Sequence, residues 1–343
     1  MENIFYPLRF TPIYQTYIWG GTKLRESLGR TDAPPSETCA ESWEISDRDD
    51  GMGAIANGRW RGMTFRELMV AFGDEVMGRP WDTDPRRDRD RFPLLIKVLD
   101  AAKTLSVQVH PNDATAKQYG GEAKTEMWYV LEAEADAVVY CGLKEGVTPE
   151  AFRAAIDDNR LEEWMKTIPV KGGDAIFVPG GRVHAIGAGC LLLEVQQNSN
   201  TTYRIYDWGR VGHDGKPREL HIDRALEVTL WDDPESALTP PEPRPPLGEI
   251  PREQVMKSPY FLLEKLTVRG AVTLPASPES FQVLFAIDGD VTVSANGEDV
   301  KVPRGSSVLL PAAMGEAHLV PEKGPAGNAV NLMRITEPRV ETP

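Results

Sequence analysis

Two short segments, each ending at or just after a histidine, constrain the fold of this chain more than any other feature. Residues 105–111 read LSVQVHP, and residues 173–184 read GDAIFVPGGRVH. Successive side chains of a β-strand point to opposite faces, so Ser106, Gln108 and His110 share one face while a leucine and two valines pack on the other. The first segment therefore predicts a strand with a polar face that lines something other than the core.

The second segment predicts a strand followed by a tight turn. The run 175–178 is apolar, Pro179 fixes the backbone at the start of the turn, and the glycine pair that follows relaxes the backbone before His184. This arrangement resembles the second motif of the cupin superfamily, small β-barrels in which such a turn carries a histidine into the barrel mouth.

A third segment, residues 124–131, reads KTEMWYVL and supplies a carboxylate. It is a β-favouring run that can pair beside the first strand. Two imidazoles, a carboxylate and an amide oxygen give the three or four ligands that zinc or a similar divalent ion needs. The sequence predicts one metal site formed by four side chains: Gln108, His110, Glu126 and His184. The alternative is that each histidine is a separate capping or core residue.

Composition excludes several classes of protein. The 343 residues suffice for two domains, and 28 prolines and 30 glycines among many short β-favouring runs predict a mainly β fold. A formal net charge of −14 argues against nucleic acid or an anionic membrane as partner. Three scattered cysteines predict no disulfide framework, and the absence of a signal sequence or a long apolar run predicts a soluble cytoplasmic protein.

Helix signals are few. Thr64 and Glu67 have the spacing of a capping box, which predicts a helix that begins at Thr64. Thr148 followed by Pro149 predicts a second helix, which we expect to run to about residue 166.

A proline-rich segment predicts the domain boundary. Prolines cannot donate to a sheet and they stiffen the chain, so we expect a linker at residues 236–252 between a metal-binding catalytic domain, residues 1–235, and a second domain, residues 253–343. The second domain looks like a degenerate repeat of the first, because Gly305 and Pro311 have the spacing of Gly173 and Pro179. It has Glu316 at the place of His184, so we expect it to lack the metal; His318 is an alternative ligand there.

The combined motifs resemble those of type I mannose-6-phosphate isomerases in their short bacterial form. The resemblance rests on the three segments above, on residues 194–204, on YIWGGT at residues 17–22 and on AESWE at residues 40–44. It covers nearly the whole chain and is least distinct in the carboxy-terminal domain. One departure is Asn200, which stands where long members of the family carry an aspartate.

The resemblance implies a fold and a reaction. The fold would be mainly β, with two cupin domains, each a jelly-roll-like β-barrel, and a few inserted helices. The reaction would interconvert mannose 6-phosphate and fructose 6-phosphate through an enediol, with one Zn²⁺, or another divalent ion, as Lewis acid. Sequence indicates no oligomeric state.

Candidate catalytic residues lie near the ligands. Glu194 interrupts an apolar strand, and a carboxyl group whose pKa is raised by burial acts as acid and base near neutrality, as the family position also implies. Lys124 is the competing proton-transfer group or a substrate contact. Arg204 would bind the phosphate through its forked donors, with Ser106 as a second contact. Trp19 and Glu41 are weaker candidates near the substrate.

Two other classes of protein remain open. An iron-dependent dioxygenase shares the barrel, although its iron sites usually contain more imidazole than this set with Gln108. A non-catalytic sugar-phosphate sensor would also bind the substrate, although a pure binder needs no base such as Glu194 beside its metal.

Overall fold

The structure is a computed structural model that describes residues 3–35, 38–80, 91–158, 160–212, 215–322 and 329–338. Strands outnumber helices throughout, so the predicted mainly β fold is confirmed. The helices are short and lie between strands. None of the helices in the described ranges is both long and apolar enough to cross a membrane.

The α-helices have the following bounds: α1 Lys23–Glu26, α2 Phe65–Met77, α3 Asp113–Tyr119, α4 Pro149–Asp157 and α5 Ile222–Val228. Two 3₁₀-helices span Leu161–Trp164 and Ala312–Met314. The strands have the following bounds: β1 Ile13–Gly21, β2 Cys39–Ile45, β3 Asp47–Arg48, β4 Gly51–Met52, β5 Leu94–Ala101, β6 Val107–Val109, β7 Glu126–Ala133, β8 Val138–Leu143, β9 Met165–Pro169, β10 Ala175–Val178, β11 His184–Ile186, β12 Cys190–Gln197, β13 Tyr203–Tyr206, β14 Glu242–Leu247, β15 Ile250–Lys257, β16 Leu262–Val268, β17 Val272–Leu274, β18 Gln282–Ala286, β19 Val291–Ala295, β20 Glu298–Val302, β21 Ser307–Leu310, β22 Ala317–Pro321 and β23 Val330–Thr336.

Both predicted helix starts are confirmed. Thr64 caps α2, because its side chain accepts from the backbone of Glu67 while the Glu67 carboxylate accepts from the backbone of Thr64. Thr148 caps α4, which has Pro149 in its first turn. The predicted end of the second helix near residue 166 is wrong, because α4 ends at Asp157 and residues 165–169 form β9, whose pairing with β8 overrides the local helical pattern.

The chain groups into two compact units. The central unit contains residues 14–42 and 96–239, and the terminal unit contains residues 1–13, 43–95 and 240–343. The predicted division at residues 236–252 stays a prediction. Within the terminal unit the proline-rich segment forms β14, which pairs with β15 and ends the strand order of its sheet. At this edge position a proline removes no hydrogen bond from the inner strands.

Two sheets lie wholly or mainly in the central unit. Their strand orders are β1-β2-β5-β12-β7-β10 and β13-β6-β11-β8-β9. Both contribute to one apolar core, with Val130 and Leu192 from the larger sheet and Val139 and Ile186 from the smaller. The sheets are open as paired, and they bury their facing sides against each other. Cys141 and Cys190 are buried in this core. Both are free thiols, as is Cys39, in agreement with the prediction that the chain has no disulfide framework.

The terminal unit contains a similar pair of sheets. Their orders are β14-β15-β16-β23-β18-β21 and β17-β22-β19-β20, beside a small β3-β4 hairpin. The core between them receives Leu266 and Leu332 from the larger sheet and Val293 and Leu319 from the smaller. Gly305 and Pro311, whose spacing suggested the repeat, lie on either side of β21, as Gly173 and Pro179 lie on either side of β10.

The capping box of α2 gives a stability prediction. Substitution Thr64→Ala removes the acceptor for one amide of the first turn, so we expect the free energy of unfolding to fall by about 1 kcal/mol. Chemical denaturation followed by circular dichroism measures this change. The matched control is Thr22→Ala at the start of α1, where the threonine side chain caps no backbone group; equal losses in both variants would contradict the capping argument.

Candidate metal centre

Strand pairing brings two of the predicted ligands, Gln108 and His184, together. His184 opens β11 and lies directly opposite Gln108 of β6 in an antiparallel pair. His110 follows β6, and its backbone oxygen accepts a hydrogen bond of 2.7 Å from the amide of Gly181. The pairing of β11 with β6 and the hydrogen bond from Gly181 therefore hold both histidines in place relative to β6.

The glycine turn between β10 and β11 depends on close packing. A Cβ at position 180 would lie 2.7 Å from the Cα of Asn112, and Gly181 has φ +96. Gly180 is therefore needed for the turn to pack directly on the backbone after His110, and Gly181 for its left-handed conformation.

Both imidazoles are oriented from behind by backbone carbonyl groups. Nδ1 of His110 lies 2.8 Å from the oxygen of Thr201, and Nδ1 of His184 lies 2.8 Å from the oxygen of Arg182. Since a carbonyl only accepts, each Nδ1 carries the hydrogen and each Nε2 presents a lone pair. This is the tautomer that a metal-binding histidine needs.

The Nε2 atoms converge on the carboxylate of Glu126. Nε2 of His110 lies 3.5 Å from Oε2, and Nε2 of His184 lies 3.5 Å from Oε1. The three ligand atoms lie within 4.8 Å of one another, and all three residues are buried. Imidazole lone pairs and a carboxylate that converge in this way are the donors that a divalent ion prefers, so the donor set fits such an ion.

Gln108 completes the predicted set from the side. Its Nε2 lies 3.3 Å from Nε2 of His184, and a half-turn of the amide would present the oxygen to the same space. Ser106 lies behind it, with Oγ 3.4 Å from Oε1 of Gln108. The structure thus brings the predicted ligands Gln108, His110, Glu126 and His184 into one cluster.

Burial and neighbouring charges control the ionisation of the ligands. Burial, and then the ammonium group of Lys124, lowers the pKa of His110 to about 3; burial likewise lowers the pKa of His184. Burial alone would raise the pKa of Glu126, but Lys124 and His110 hold it well below its usual range. Lys124 Nζ lies 2.8 Å from the Glu126 carboxylate and 3.3 Å from Nε2 of His110. All three groups are therefore in the forms that bind a cation.

Glu194 lies beside this cluster. The indole nitrogen of Trp128 donates to Glu126 at 3.1 Å and to Glu194 at 3.3 Å, so one donor joins the two carboxylates. Burial, and then the charge of Glu126, raises the pKa of Glu194. A carboxyl group with a raised pKa can exchange protons near neutrality.

A buried lysine that sequence reasoning missed completes the acidic side of the site. Nζ of Lys97 lies 3.4 Å from Glu41 and 3.5 Å from Glu194. Burial acts to lower the pKa of Lys97, but the two carboxylates outweigh it and the pKa is raised. The sequence feature that could have indicated Lys97 is its place as the single charged residue in the apolar run LLIKVL, residues 94–99.

A cavity of about 310 Å³ lies beside the ligand cluster, and of the four predicted ligands only Gln108 is in its lining. The predicted residues on its wall are Trp19, Glu41, Ser106, Gln108, Lys124, Glu194 and Arg204. Asn200, Arg218 and His221 also line it. His318 lies in the terminal unit, where its exposed ring contacts Thr273. The volume of the cavity lined by Glu194 and Arg204 is in the range of small-molecule sites.

Two arginines give the cavity a cationic wall. Arg204 donates to the backbone oxygen of Glu219, while its buried Nε has no partner among the described residues. Arg218, which sequence reasoning missed, is clamped by Asp207 through bonds of 2.7 and 2.6 Å. Burial and the charge of Arg218 lower the pKa of Arg204, as expected for two cations at one surface. No local pattern around Arg218 indicated this position.

Fold and site define a mainly β protein with a buried cluster of metal-binding side chains beside a small cavity, which is lined by an ionisable carboxylate and two arginines. Comparisons with known proteins identify the family. Residues 8–140 match the model of the phosphomannose isomerase type I catalytic domain, and residues 252–322 match the cupin domain of mannose-6-phosphate isomerase.

Individual relatives agree with these matches. The probable mannose-6-phosphate isomerase GmuF of Bacillus subtilis is 35% identical over 316 residues, 91% of this chain and 95% of its own length. The mannose-6-phosphate isomerase of Streptococcus mutans is 36% identical over 296 residues, 86% of this chain and 89% of its own. A crystal structure of the mannose 6-phosphate isomerase from Bacillus subtilis has a TM-score of 0.84 and 31% identity, and the match covers 96% of this chain and 99% of that one. The chain belongs to the type I phosphomannose isomerase family, a family of aldose–ketose isomerases, and the resemblance predicted from its sequence is confirmed.

The ligand cluster gives a metal-binding prediction. We expect the chelator-treated protein to take up one Zn²⁺ per chain, and His184→Ala or Glu126→Gln to weaken its affinity more than about 100-fold, since even indirect partners of a metal cost 10-fold to 100-fold. Mass spectrometry of bound metal after competition with a chelator measures this. His318→Ala, which removes an exposed histidine, is the control and should bind as the wild type does. Full metal retention in both ligand variants would exclude the site.

Proposed function

We propose that this protein interconverts mannose 6-phosphate and fructose 6-phosphate, with one Zn²⁺ held by Gln108, His110, Glu126 and His184. The observation that carries the proposal is the position of Glu194, an ionisable carboxylate that shares the Trp128 indole donor with the ligand Glu126. A base beside a Lewis acid is what an aldose–ketose isomerisation requires.

The reaction moves one proton between adjacent carbons. A base removes the proton from C2 of the open-chain aldose, the electrons of that bond form the C1–C2 double bond of an enediol, and a proton returned to C1 gives the ketose. The hydroxyl proton on O2 shifts to O1, so no atom is gained or lost. When bound, the metal ion would stabilise the negative charge that develops on the sugar oxygens.

Glu194 is the group that we propose for the proton transfer. Its carboxylate is 3% exposed and lines the cavity, and the raised pKa allows it to accept and return a proton in turn. Lys97 and Trp128 hold the carboxylate from the protein side. Lys124 is the competing candidate, because its ammonium group also lines the cavity; paired with Glu126, it is better suited to stabilise an enediol oxygen.

Arg204 is proposed to bind the phosphate. Its buried Nε has no partner among the described residues, and the guanidinium of Arg218 lies in the same wall, so the two arginines provide hydrogen-bond donors and positive charge there. Ser106 on the same cavity is a proposed contact for a sugar hydroxyl.

Several finer statements belong to the same proposal. Imidazole and carboxylate donors suit zinc, and the amide of Gln108 makes an iron-dependent dioxygenase the poorer alternative. A non-catalytic sensor would have no use for Glu194 and Lys124 together. We propose two cupin domains, a metal-binding one and a degenerate one without metal, because the larger sheets of the two units have the same pattern of strand order. A cytoplasmic location and the absence of nucleic-acid and membrane partners stay predictions.

A coupled assay of fructose 6-phosphate formation tests the reaction. We expect activity on mannose 6-phosphate that a chelator abolishes and Zn²⁺ restores, and we expect Glu194→Gln to lower kcat by about 100-fold to 10,000-fold with unchanged metal content, since this is the contribution of a positioned acid–base group. Glu162→Gln, at an exposed carboxylate of the same unit, is the control. Metal-loaded protein that is inactive on every hexose 6-phosphate would overturn the proposal.

The phosphate role has its own test. Arg204→Ala should raise KM for mannose 6-phosphate by about tenfold or more, because a hydrogen bond to a charged group contributes roughly 1.5–3 kcal/mol. Arg218→Gln should act in the same direction. Steady-state kinetics measure both, with the exposed Arg160→Ala as control. An unchanged KM in Arg204→Ala would remove this residue from the phosphate site.

A further inference from the structure

The terminal unit repeats the architecture that carries the metal centre. In the larger sheet of each unit the fourth strand in the order is the last of that sheet along the chain, and it lies between the third and fifth strands: β12 between β5 and β7, and β23 between β16 and β18. In both units the inner face of this sheet is apolar over most of its length and joins the core.

The inner face of the terminal unit becomes polar at one end. Glu264 of β16, Arg334 of β23 and Gln282 of β18 alternate with outward residues and share the face of the core leucines. Arg334 donates to Glu264 at 2.5 Å and to Gln282 at 2.5 Å. Arg252 of β15 donates to the other oxygen of Glu264 at 2.7 Å. One buried carboxylate thus joins two arginines.

The central unit carries the same arrangement with opposite signs. There Lys97, on the third strand of the order, joins Glu41 on the second and Glu194 on the fourth. In the terminal unit Glu264, on the third strand, joins Arg252 on the second and Arg334 on the fourth. A negative–positive–negative row in one unit corresponds to a positive–negative–positive row in the other.

A cavity of about 700 Å³ opens over this row in the terminal unit. Its cationic lining residues among those described are Arg79, Arg244, Arg252, Lys257 and Arg334, and its carboxylates are Glu264, Glu279 and Glu337. Its neutral hydrogen-bonding residues are Gln254, Ser277, Ser280 and Thr336. Cations exceed anions here although the whole chain has a net charge of −14. Arg79 pairs with Glu337 and Arg244 with Glu242, and the three remaining cations still exceed the two remaining carboxylates, so the lining favours an anion, while its neutral polar residues can bind hydroxyl groups.

Two donors of this lining have no partner among the described residues. Arg334 is 8% exposed and uses Nε and Nη1 but not Nη2 in hydrogen bonds with described residues. The ammonium group of Lys257 makes no ion pair in the described part of the chain. Both reach the same cavity, so their donors are available to a ligand.

Stability alone does not explain the row. A buried pair of this kind costs desolvation that apolar side chains of similar size would avoid, so it is weak evidence for a structural role. Polar residues at inner positions are expected at functional sites. In the central unit the equivalent row lies at the candidate metal centre.

We propose that the cavity of the terminal unit is a second ligand site, which binds a small phosphorylated sugar or sugar alcohol without a metal. The phosphate contacts Arg252, Lys257 and Arg334, and the carboxylates and hydroxyl groups of the lining bind the sugar hydroxyls. This inference does not rest on the proposed isomerase reaction.

Calorimetric titration of the metal-loaded full chain with sorbitol 6-phosphate, which has no carbonyl group and cannot be isomerised, tests the proposal. We expect two binding events in the wild type, one weakened in Arg204→Ala and the other weakened about tenfold or more in Lys257→Gln and Arg252→Gln. Lys265→Gln is the matched control, because Lys265 adjoins Glu264 on β16 but lies outside the cavity lining. Titrations with sorbitol and with inorganic phosphate separate the contributions of the hydroxyl groups and of the phosphate.

The outcomes are distinguishable. Lys257 is exposed and makes no ion pair with a described residue, so Lys257→Gln keeps the test valid even if Arg252→Gln fails to fold. A single binding event that Arg204→Ala abolishes, or wild-type affinity in Lys257→Gln, would overturn the second site. A binding event that only Lys257→Gln weakens would support it and at the same time contradict the phosphate role of Arg204.

Discussion

The candidate centre depends on two hydrogen bonds from imidazole Nδ1 to backbone carbonyl groups. They fix the tautomer and direct both Nε2 lone pairs at the Glu126 carboxylate. The carbonyl behind His184 belongs to Arg182, whose buried guanidinium is clamped by Asp233 through bonds of 2.5 and 2.6 Å. Asp233, in a segment without any motif, thus holds the side chain of the residue whose backbone oxygen orients His184.

The charges around Glu194 show how the fold keeps an ionisable carboxylate in a buried place. Burial favours the neutral acid, and the charge of Glu126 adds to this effect. Lys97 and Lys124 act in the opposite direction, so neither form of Glu194 is excluded. A strand of purely apolar residues at β5 would leave Glu41 and Glu194 without their shared cation, which is why a lysine interrupts the run 94–99.

Local patterns predicted those parts of the site that depend on local geometry. The two-residue alternation around Gln108 and the glycine turn before His184 are properties of one strand and one turn, so the sequence was sufficient to indicate them. The pairing of Lys97 with Glu194, and the place of Arg218 in the cavity wall, depend on strands that are distant in the chain. The same reason explains α4, whose predicted extension was overridden by the pairing of β9 with β8. The prolines of β14 are also compatible with a strand, because proline is excluded from the inner strands of a sheet but is tolerated in an edge strand.

The two units suggest how one framework supports different sites. In each larger sheet the apolar end of the inner face forms the core, and the other end contributes little to that core. The charges of the side chains at this other end can therefore differ between the two units while the fold stays the same. The spacing of Gly305 and Pro311 matches that of Gly173 and Pro179, but a 3₁₀-helix, Ala312–Met314, follows Pro311 in place of the glycine turn. Gln282 opens β18 as Glu126 opens β7. An amide at this position removes the carboxylate that two imidazoles would share. The arginines on the neighbouring strands then make the same end of the sheet a place for an anion rather than for a cation.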